Sequence, residues 1–225
     1  MGENVSVIIP AYNEQARILQ TLGSLKGIPE IREIIVVDDG STDSTYQLLK
    51  PLEGIRLLHV TSNKGKGNAV KYALDYVTCN IVALLDADLC ESASEIQKLI
   101  EHIRPEKKTI IIGKLKAPNK KGGFGIVKRV SGRGFYALTS RRIDSLLSGQ
   151  RILPADFLRS IDLPDGFGLE FKITLEGVRR DFELIEVPVD MTHRETGRDI
   201  KGFLHRGKQC LDIVRLIRNE MRAYR

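Results

Sequence analysis

The sequence predicts an α/β fold, a mainly parallel sheet flanked by helices, and three observations carry that prediction. Five short apolar runs are rich in Val, Ile and Leu and lack polar–apolar alternation, as strands buried on both faces do. Helical stretches separate them, and strand alternating with helix builds parallel strands through right-handed crossovers. The unusual polar residues directly follow the runs, where ligands bind in open α/β sheets.

In chain order, the strand-like runs are residues 5–10 (VSVIIP), 33–38 (EIIVVD), 55–60 (IRLLHV), 80–86 (NIVALLD) and 109–113 (TIIIG). Residues 13–26 place Ile18, Leu19, Leu22 and Leu25 on one helical face. Residues 43–50, 66–77 and 92–104 also read as helices, with Asp43 and Ser92 as expected N-caps. The second half is less regular. Residues 114–125 (KLKAPNKKGGFG) form a basic, glycine-rich loop of lid length. A helix is expected over 126–147, interrupted by Gly132 and Gly134, then a turn at 164–168 and a helix near 169–179. Residues 182–190 (FELIEVPVD) predict a late strand, which Pro188 assigns to an edge or a bulge. Residues 203–223 predict a last helix, basic and amphipathic.

Length and composition narrow the class. A chain of 225 residues, 42% hydrophobic and 28% charged, can bury a real core and is not disordered. No apolar run approaches the ~20 residues that span a bilayer. The start reads as a first strand rather than a signal peptide. The three cysteines, Cys79, Cys90 and Cys210, are odd in number and widely spaced, which predicts reduced thiols in a cytoplasmic protein. A net charge of +6 suits phosphorylated small molecules, anionic lipid or nucleic acid. Charge is the only argument for nucleic acid, because no recognition motif with interleaved aromatics is present.

Three strand ends carry the chemistry. Asp86-Ala87-Asp88 directs two carboxylates toward one small volume, where a cation must join them. Mg²⁺ or Mn²⁺ suits such oxygen ligands and is usually completed by substrate phosphates. The alternative is an N-cap and a solvated loop acid. Asp38-Asp39-Gly40-Ser41-Thr42-Asp43 can offer a carboxylate to a base or ribose, or serve only turn and cap roles. Asn63-Lys64-Gly65-Lys66-Gly67 precedes a helix and can hold an anion, or act as a flexible cap. It lacks the order of a P-loop.

Taken together, IIPAYNE at 8–14, VVDDGSTD at 36–43, NKGKGNA at 63–69 and LLDADL at 84–89 closely resemble family 2 glycosyltransferases of the GT-A fold. Looser matches at SGQR (148–151), GFGLE (166–170) and MTHRETGRD (191–199) look most like the branch with polyprenyl-phosphate sugar synthases and glucosyl-3-phosphoglycerate synthases. The resemblance implies a single GT-A domain, the nucleotide-diphospho-sugar transferase fold, over residues 1–202. Residues 1–105 would be its nucleotide-binding half and 106–202 its acceptor half, with 203–225 as an appended helix.

It also implies roles. Pro10, Tyr12 and Glu14 would line the nucleotide pocket, Asp38 or Asp39 would hold the base, and Lys64 would lie near base or ribose. Asp86 would contact ribose or metal, and Asp88 would be a direct metal ligand. Gln150 and Arg151 would belong to the substrate-binding set. His193, after the last strand, would complete the metal shell, or else make only local hydrogen bonds. Arg194, Arg198 and Lys201 could clamp the diphosphate, since guanidinium pairs with phosphate oxygens bidentately. His59, His102 and His205 are expected to be structural or exposed. Glu170 is the first candidate for a general base and Asp156 the second; a phosphate acceptor would need none, so inversion and retention both stay open.

The expected donor is a UDP- or GDP-sugar, and the acceptor a phosphorylated small molecule, a glycan or a lipid phosphate. The last helix carries Leu211, Val214, Leu216 and Ile217 beside Arg215, Arg218 and Arg222. It can lie peripherally on the inner membrane face, pack on the domain, or form a homodimer contact. Two other readings are weaker. A sugar-nucleotide pyrophosphorylase needs a glycine-rich basic signature where PAYNE stands. A non-catalytic nucleotide-sugar-binding module would favour loss of an acid from Asp86-Ala87-Asp88, and both are present.

Overall fold

The structure is a computed structural model that describes residues 3–115, 125–192 and 200–223, with side chains of the last helix described from Gln209 onward. The chain opens with β1 (Val5–Ala11), α1 (Ile18–Leu25), β2 (Ile31–Asp39), α2 (Thr45–Leu49), β3 (Arg56–Val60), α3 (Lys66–Leu74) and β4 (Ile81–Leu84). A 3-10 turn over Cys90–Glu95 leads into α4 (Ile96–Ile100) and β5 (Thr109–Leu115). Then come α5 (Gly125–Thr139), β6 (Arg151–Pro154), α6 (Ala155–Arg159), α7 (Leu169–Arg179), β7 (Glu183–Val189) and α8 (Ile200–Ala223).

The seven strands form one sheet in the order β3-β2-β1-β4-β6-β5-β7. β1 pairs in parallel with β2 and β4, and β2 in parallel with β3. Side chains alternate between two cores. Val7 and Ile9 enter the layer with α1 and the 3-10 turn, whereas Ile8, Ile35 and Val37 enter the layer with α3 and α6. Burial on both faces explains why these strands read as unbroken apolar runs. Each enclosed aliphatic side chain contributes about 1.5–3 kcal/mol relative to exposure.

The sequence reading omits β6 and the short helix α6 that follows it. β6 runs antiparallel to both β4 and β5, with Leu84 opposite Arg151. Four residues ending in proline are too short to show a periodicity. β7 is an edge strand, as Pro188 requires, and pairs in parallel with β5. The expected N-cap Ser92 lies inside the 3-10 turn, where its hydroxyl donates to the Leu89 carbonyl. Asp43 sits one residue before the N-cap Ser44 and accepts from the Thr45 amide at 2.9 Å.

α5 is not interrupted at its glycines, and it stops at Thr139 rather than 147. Gly134 faces α8, where a Cβ would stand 2.3 Å from Ile217 Cδ1. α8 begins at Ile200, and its Ile213 and Ile217 join Phe135, Phe171 and Leu175 in a third apolar cluster. Beside that cluster, Lys172 binds Glu176 at 3.0 Å and Glu220 at 2.6 Å, while Arg179 binds the same two acids at 2.9 and 2.5 Å. This four-residue ion lattice ties α8 to α7.

Candidate active site

Consecutive loops at the carboxyl ends of β1, β2 and β3 are stitched to one another. Asn13, in a left-handed conformation (φ 57°), accepts through Oδ1 from the Thr42 amide at 2.8 Å and the Asp43 amide at 3.3 Å. The Glu14 amide donates to Thr45 Oγ1 at 2.8 Å. Gly40 has φ 71°, and a Cβ there would stand 2.6 Å from the Ser62 backbone, so glycine lets the β2 loop press on the β3 loop. Asp39 then fixes the third loop, accepting from the Lys64 amide at 3.0 Å and the Gly65 amide at 2.8 Å.

Asp38 is fully enclosed, with Oδ2 at 2.7 Å from His59 Nδ1 across the β2–β3 register. The His59 ring packs against Tyr46, with centroids 4.3 Å apart. Asp38 and Asp39 therefore build the platform rather than face solvent. Pro10, the last residue but one of β1, stands opposite Val37, Glu14 is half-buried, and Tyr12 and Lys64 are exposed on the same rim.

The centre of the site is Lys66, at the start of α3. Its Nζ lies 2.6 Å from Asp86 Oδ1 and 2.8 Å from Glu170 Oε1. Burial disfavours its charge, but the two carboxylates outweigh that and hold its pKa above the ordinary lysine value. The Gln150 amide donates to the other Asp86 oxygen at 2.9 Å. Gly149 packs against this cluster so closely that a Cβ would stand 2.5 Å from Asp86 Oδ2 and 2.8 Å from Lys66 Nζ.

Four elements thus converge: the end of β4, the start of α3, the loop before β6 and the first turn of α7. Lys66 was not singled out from the sequence as a site residue. The signal lay in the Gly-Lys-Gly spacing, which puts the lysine in the first turn of a helix facing the Asp86 rim.

Arg151 is not a surface ligand. It is completely buried, and its guanidinium donates to the Ser148 carbonyl at 2.8 Å, the Leu146 carbonyl at 2.7 Å and Thr174 Oγ1 at 2.6 Å. Burial lowers its pKa to about 10, which leaves it charged at neutral pH. Its three bonds shape the loop that presents Gly149 and Gln150.

Asp156, the second candidate base, is a correction. Pro154 stands opposite Ile81, the first residue of β4, so Asp156 lies at the opposite end of the sheet from Asp86. Its side chain is 97% exposed and pairs with Arg159. Because β6 runs backwards, residues after it move away from the rim.

Asp88 stands half-exposed at the rim, two residues beyond Asp86. Among the described residues, no three His, Cys, Asp or Glu side chains gather as a metal cage. The donor chemistry nonetheless fits a hard divalent ion. Asp86 and Asp88 bring hard carboxylate oxygens to one rim, and such ions commonly take one or two carboxylates plus substrate phosphates. His193, Arg194 and Arg198 lie outside the described residues, as do residues 116–124 of the expected lid, and Lys201 falls in α8 before its described side chains.

Comparison with known proteins gives the same picture. The chain is 28% identical over 201 residues to the glycosyltransferase AglJ of Haloferax volcanii, covering 87% of this chain and 65% of that protein. It is 28% identical over 228 residues to an undecaprenyl-phosphate mannosyltransferase of Micrococcus luteus, covering 94% of this chain and 93% of that one. Among solved structures, glucosyl-3-phosphoglycerate synthase from Mycobacterium tuberculosis, crystallised with Mn²⁺, UDP and glucosyl-3-phosphoglycerate, shares the fold. It superposes with a TM-score of 0.82 at 22% identity, over 97% of this chain and 80% of that one. The sequence profile described as Glycosyl transferase family 2 matches residues 6–151, well over half the chain and including every loop that builds the platform. The chain therefore belongs to glycosyl transferase family 2, as a GT-A-fold glycosyltransferase that uses a nucleotide sugar.

Proposed function

We propose that the chain transfers a sugar from a UDP- or GDP-sugar, with Mg²⁺ or Mn²⁺, to the phosphate of a lipid carrier. The observation that carries the acceptor is the Lys66–Glu170 contact of 2.8 Å. Glu170, the carboxylate in the position expected of a general base, already holds an ammonium. A phosphate oxygen is itself a nucleophile and needs no base to attack. The undecaprenyl-phosphate mannosyltransferase, matched along nearly its whole length, supports the same acceptor class.

In this reading Tyr12, Pro10 and Glu14 border the nucleotide, and the Asp38 and Asp39 platform holds the loops against it. The metal, once bound at Asp88 with the diphosphate, would neutralise charge on the leaving group. Lys66 has three N–H donors. Two hold Asp86 and Glu170, and the third would go to a phosphate oxygen of the donor. The anomeric C–O bond breaks with its electron pair passing to the diphosphate, and an acceptor phosphate oxygen forms the new bond. Mn²⁺ or Mg²⁺ in crystals of glucosyl-3-phosphoglycerate synthase supports the metal.

The test is a transfer assay on the full chain with UDP- and GDP-sugars and Mn²⁺, offering undecaprenyl phosphate in detergent or 3-phosphoglycerate. Mass spectrometry should find a glycosylated lipid phosphate. Product from 3-phosphoglycerate alone would overturn the lipid acceptor. Asp88→Asn should abolish metal-stimulated turnover, and an unchanged rate would remove the metal.

A further inference from the structure

Among the described residues, seven large hydrophobic side chains are exposed, and four of them sit on only two helices: Ile126 and Tyr136 on α5, Leu211 and Met221 on α8. These helices pack against each other and share one apolar cluster. Their unburied faces therefore point away from the domain.

The same faces are basic. On α8, Leu211, Arg215, Arg218 and Arg222 recur at four- and three-residue spacing and are all exposed, which makes one continuous stripe. On α5, Ile126, Arg129, Arg133 and Tyr136 make a second stripe, and the Arg142 guanidinium lies 5.4 Å from the Tyr136 ring centroid. Residues 125–142 contain no acid at all. On the described part of α8 the two acids are turned elsewhere, since Glu220 is buried in the lattice with Lys172 and Arg179, and Asp212 is half-buried beside Gly166.

We infer that the joint α5–α8 face is a docking surface for an anionic phospholipid bilayer. Guanidinium groups interleaved with exposed aliphatic and aromatic side chains match an interface that is anionic at its headgroups and apolar just below. A second copy of the chain suits the face poorly, because a two-fold contact would set arginines against arginines. Nucleic acid suits it less well, because of the four exposed apolar side chains on the two helices only Tyr136 offers a ring for a base to stack on.

In chain order, both helices come after strands that end at the active-site side of the sheet. α5 follows the carboxyl end of β5, and α8 follows the carboxyl end of β7. The loop leading to Glu170 touches α8 at Asp212 and Leu216. Docking through this face would hold the site beside the membrane, which gives the surface its purpose if the acceptor is a lipid phosphate, and in that sense the inference rests on the proposed function.

The test separates the two. The full chain is sedimented with phosphatidylcholine vesicles, with and without phosphatidylglycerol, and with no donor or acceptor present. It should bind only the anionic vesicles, and salt should release it. The triple variant Arg215→Gln, Arg218→Gln, Arg222→Gln should bind about a hundredfold more weakly, while melting as the parent does and transferring sugar to detergent-dispersed undecaprenyl phosphate at the parent rate. Failure to bind anionic vesicles, undiminished binding by the folded triple variant, or a dimer that the triple variant dissolves would each overturn the docking surface. Absence of lipid-phosphate transfer with vesicle binding intact would overturn the acceptor alone.

Discussion

The Lys66 ammonium, at the start of α3, sits 2.6 Å from Asp86, a residue twenty positions away just beyond the end of β4. Glu170 reaches the same nitrogen from the far half of the chain. Sequence halves that look like a nucleotide part and an acceptor part therefore meet at one cation.

Lys66→Met keeps the length of the side chain and removes its charge. The two carboxylates would then lose the ammonium they share in a partly screened site. We expect transfer to fall by about a hundredfold and stability by about 1–2 kcal/mol, below the full cost of breaking a buried pair because the lysine is partly exposed. Steady-state kinetics and a urea titration check both.

Gly149→Ala probes the same centre by shape alone. The new methyl would meet the Asp86 carboxylate at 2.5 Å. We expect turnover to drop by at least about tenfold, with a change in stability of only about 1–2 kcal/mol. A parent-like rate would mean that the loop gives way without disturbing Asp86.

Arg151→Met should act on the fold first. It strips donors from two carbonyls and a hydroxyl in a fully enclosed place. A loss of about 3 kcal/mol is expected, read as an earlier urea midpoint. Arg151→Lys should recover little, because an ammonium cannot reproduce the planar fork.

Asp156→Asn should leave transfer within about twofold of the parent, as exposed substitutions away from a site usually do. A large loss would mean that the far end of the sheet takes part in the reaction.

Acid sensitivity should be written in the lattice between α7 and α8. Burial works against the charge of Glu176, yet Lys172 and Arg179 hold its carboxyl below the usual value of 4.5. A carboxylate depressed on folding contributes stability that is present above pH 4.5 and is lost as pH falls through its lower folded value. Glu33 behaves alike: burial opposes its charge, but hydrogen bonds from Ser6 and Thr78 prevail. Chemical denaturation at a series of pH values should show stability dropping below pH 4.5, with a shallower drop in Glu176→Gln. Lys66, whose pKa is raised, contributes below the ordinary lysine value of 10.5 and should add no slope between pH 5 and 9.

The parallel half of the fold was legible because doubly buried strands leave apolar runs that helices interrupt. β6 was not, because four residues carry no period and its direction is set by partners distant in sequence. Asp86 was legible from local spacing. Lys66 was missed because only the turn of α3 brings its ammonium to Asp86 and Glu170. Asp156 was misread because β6 reverses the sheet and carries the chain to its far end, and Arg151 because it opens that strand fully buried. His59 looked unremarkable until the β2–β3 register placed it on Asp38.

That reversed strand has a structural consequence for how the enzyme can vary. The chain leaves β4 at Leu84 and returns at Arg151, directly alongside. Everything between is an excursion whose two feet are pinned side by side. Segments of that excursion off the sheet, such as the turn joining α4 to β5, can be lengthened, trimmed or exchanged while Gln150 and Asp86 stay clasped. A slip of one position at the feet would instead rotate Gln150 to the opposite side of the sheet and unmake the clasp.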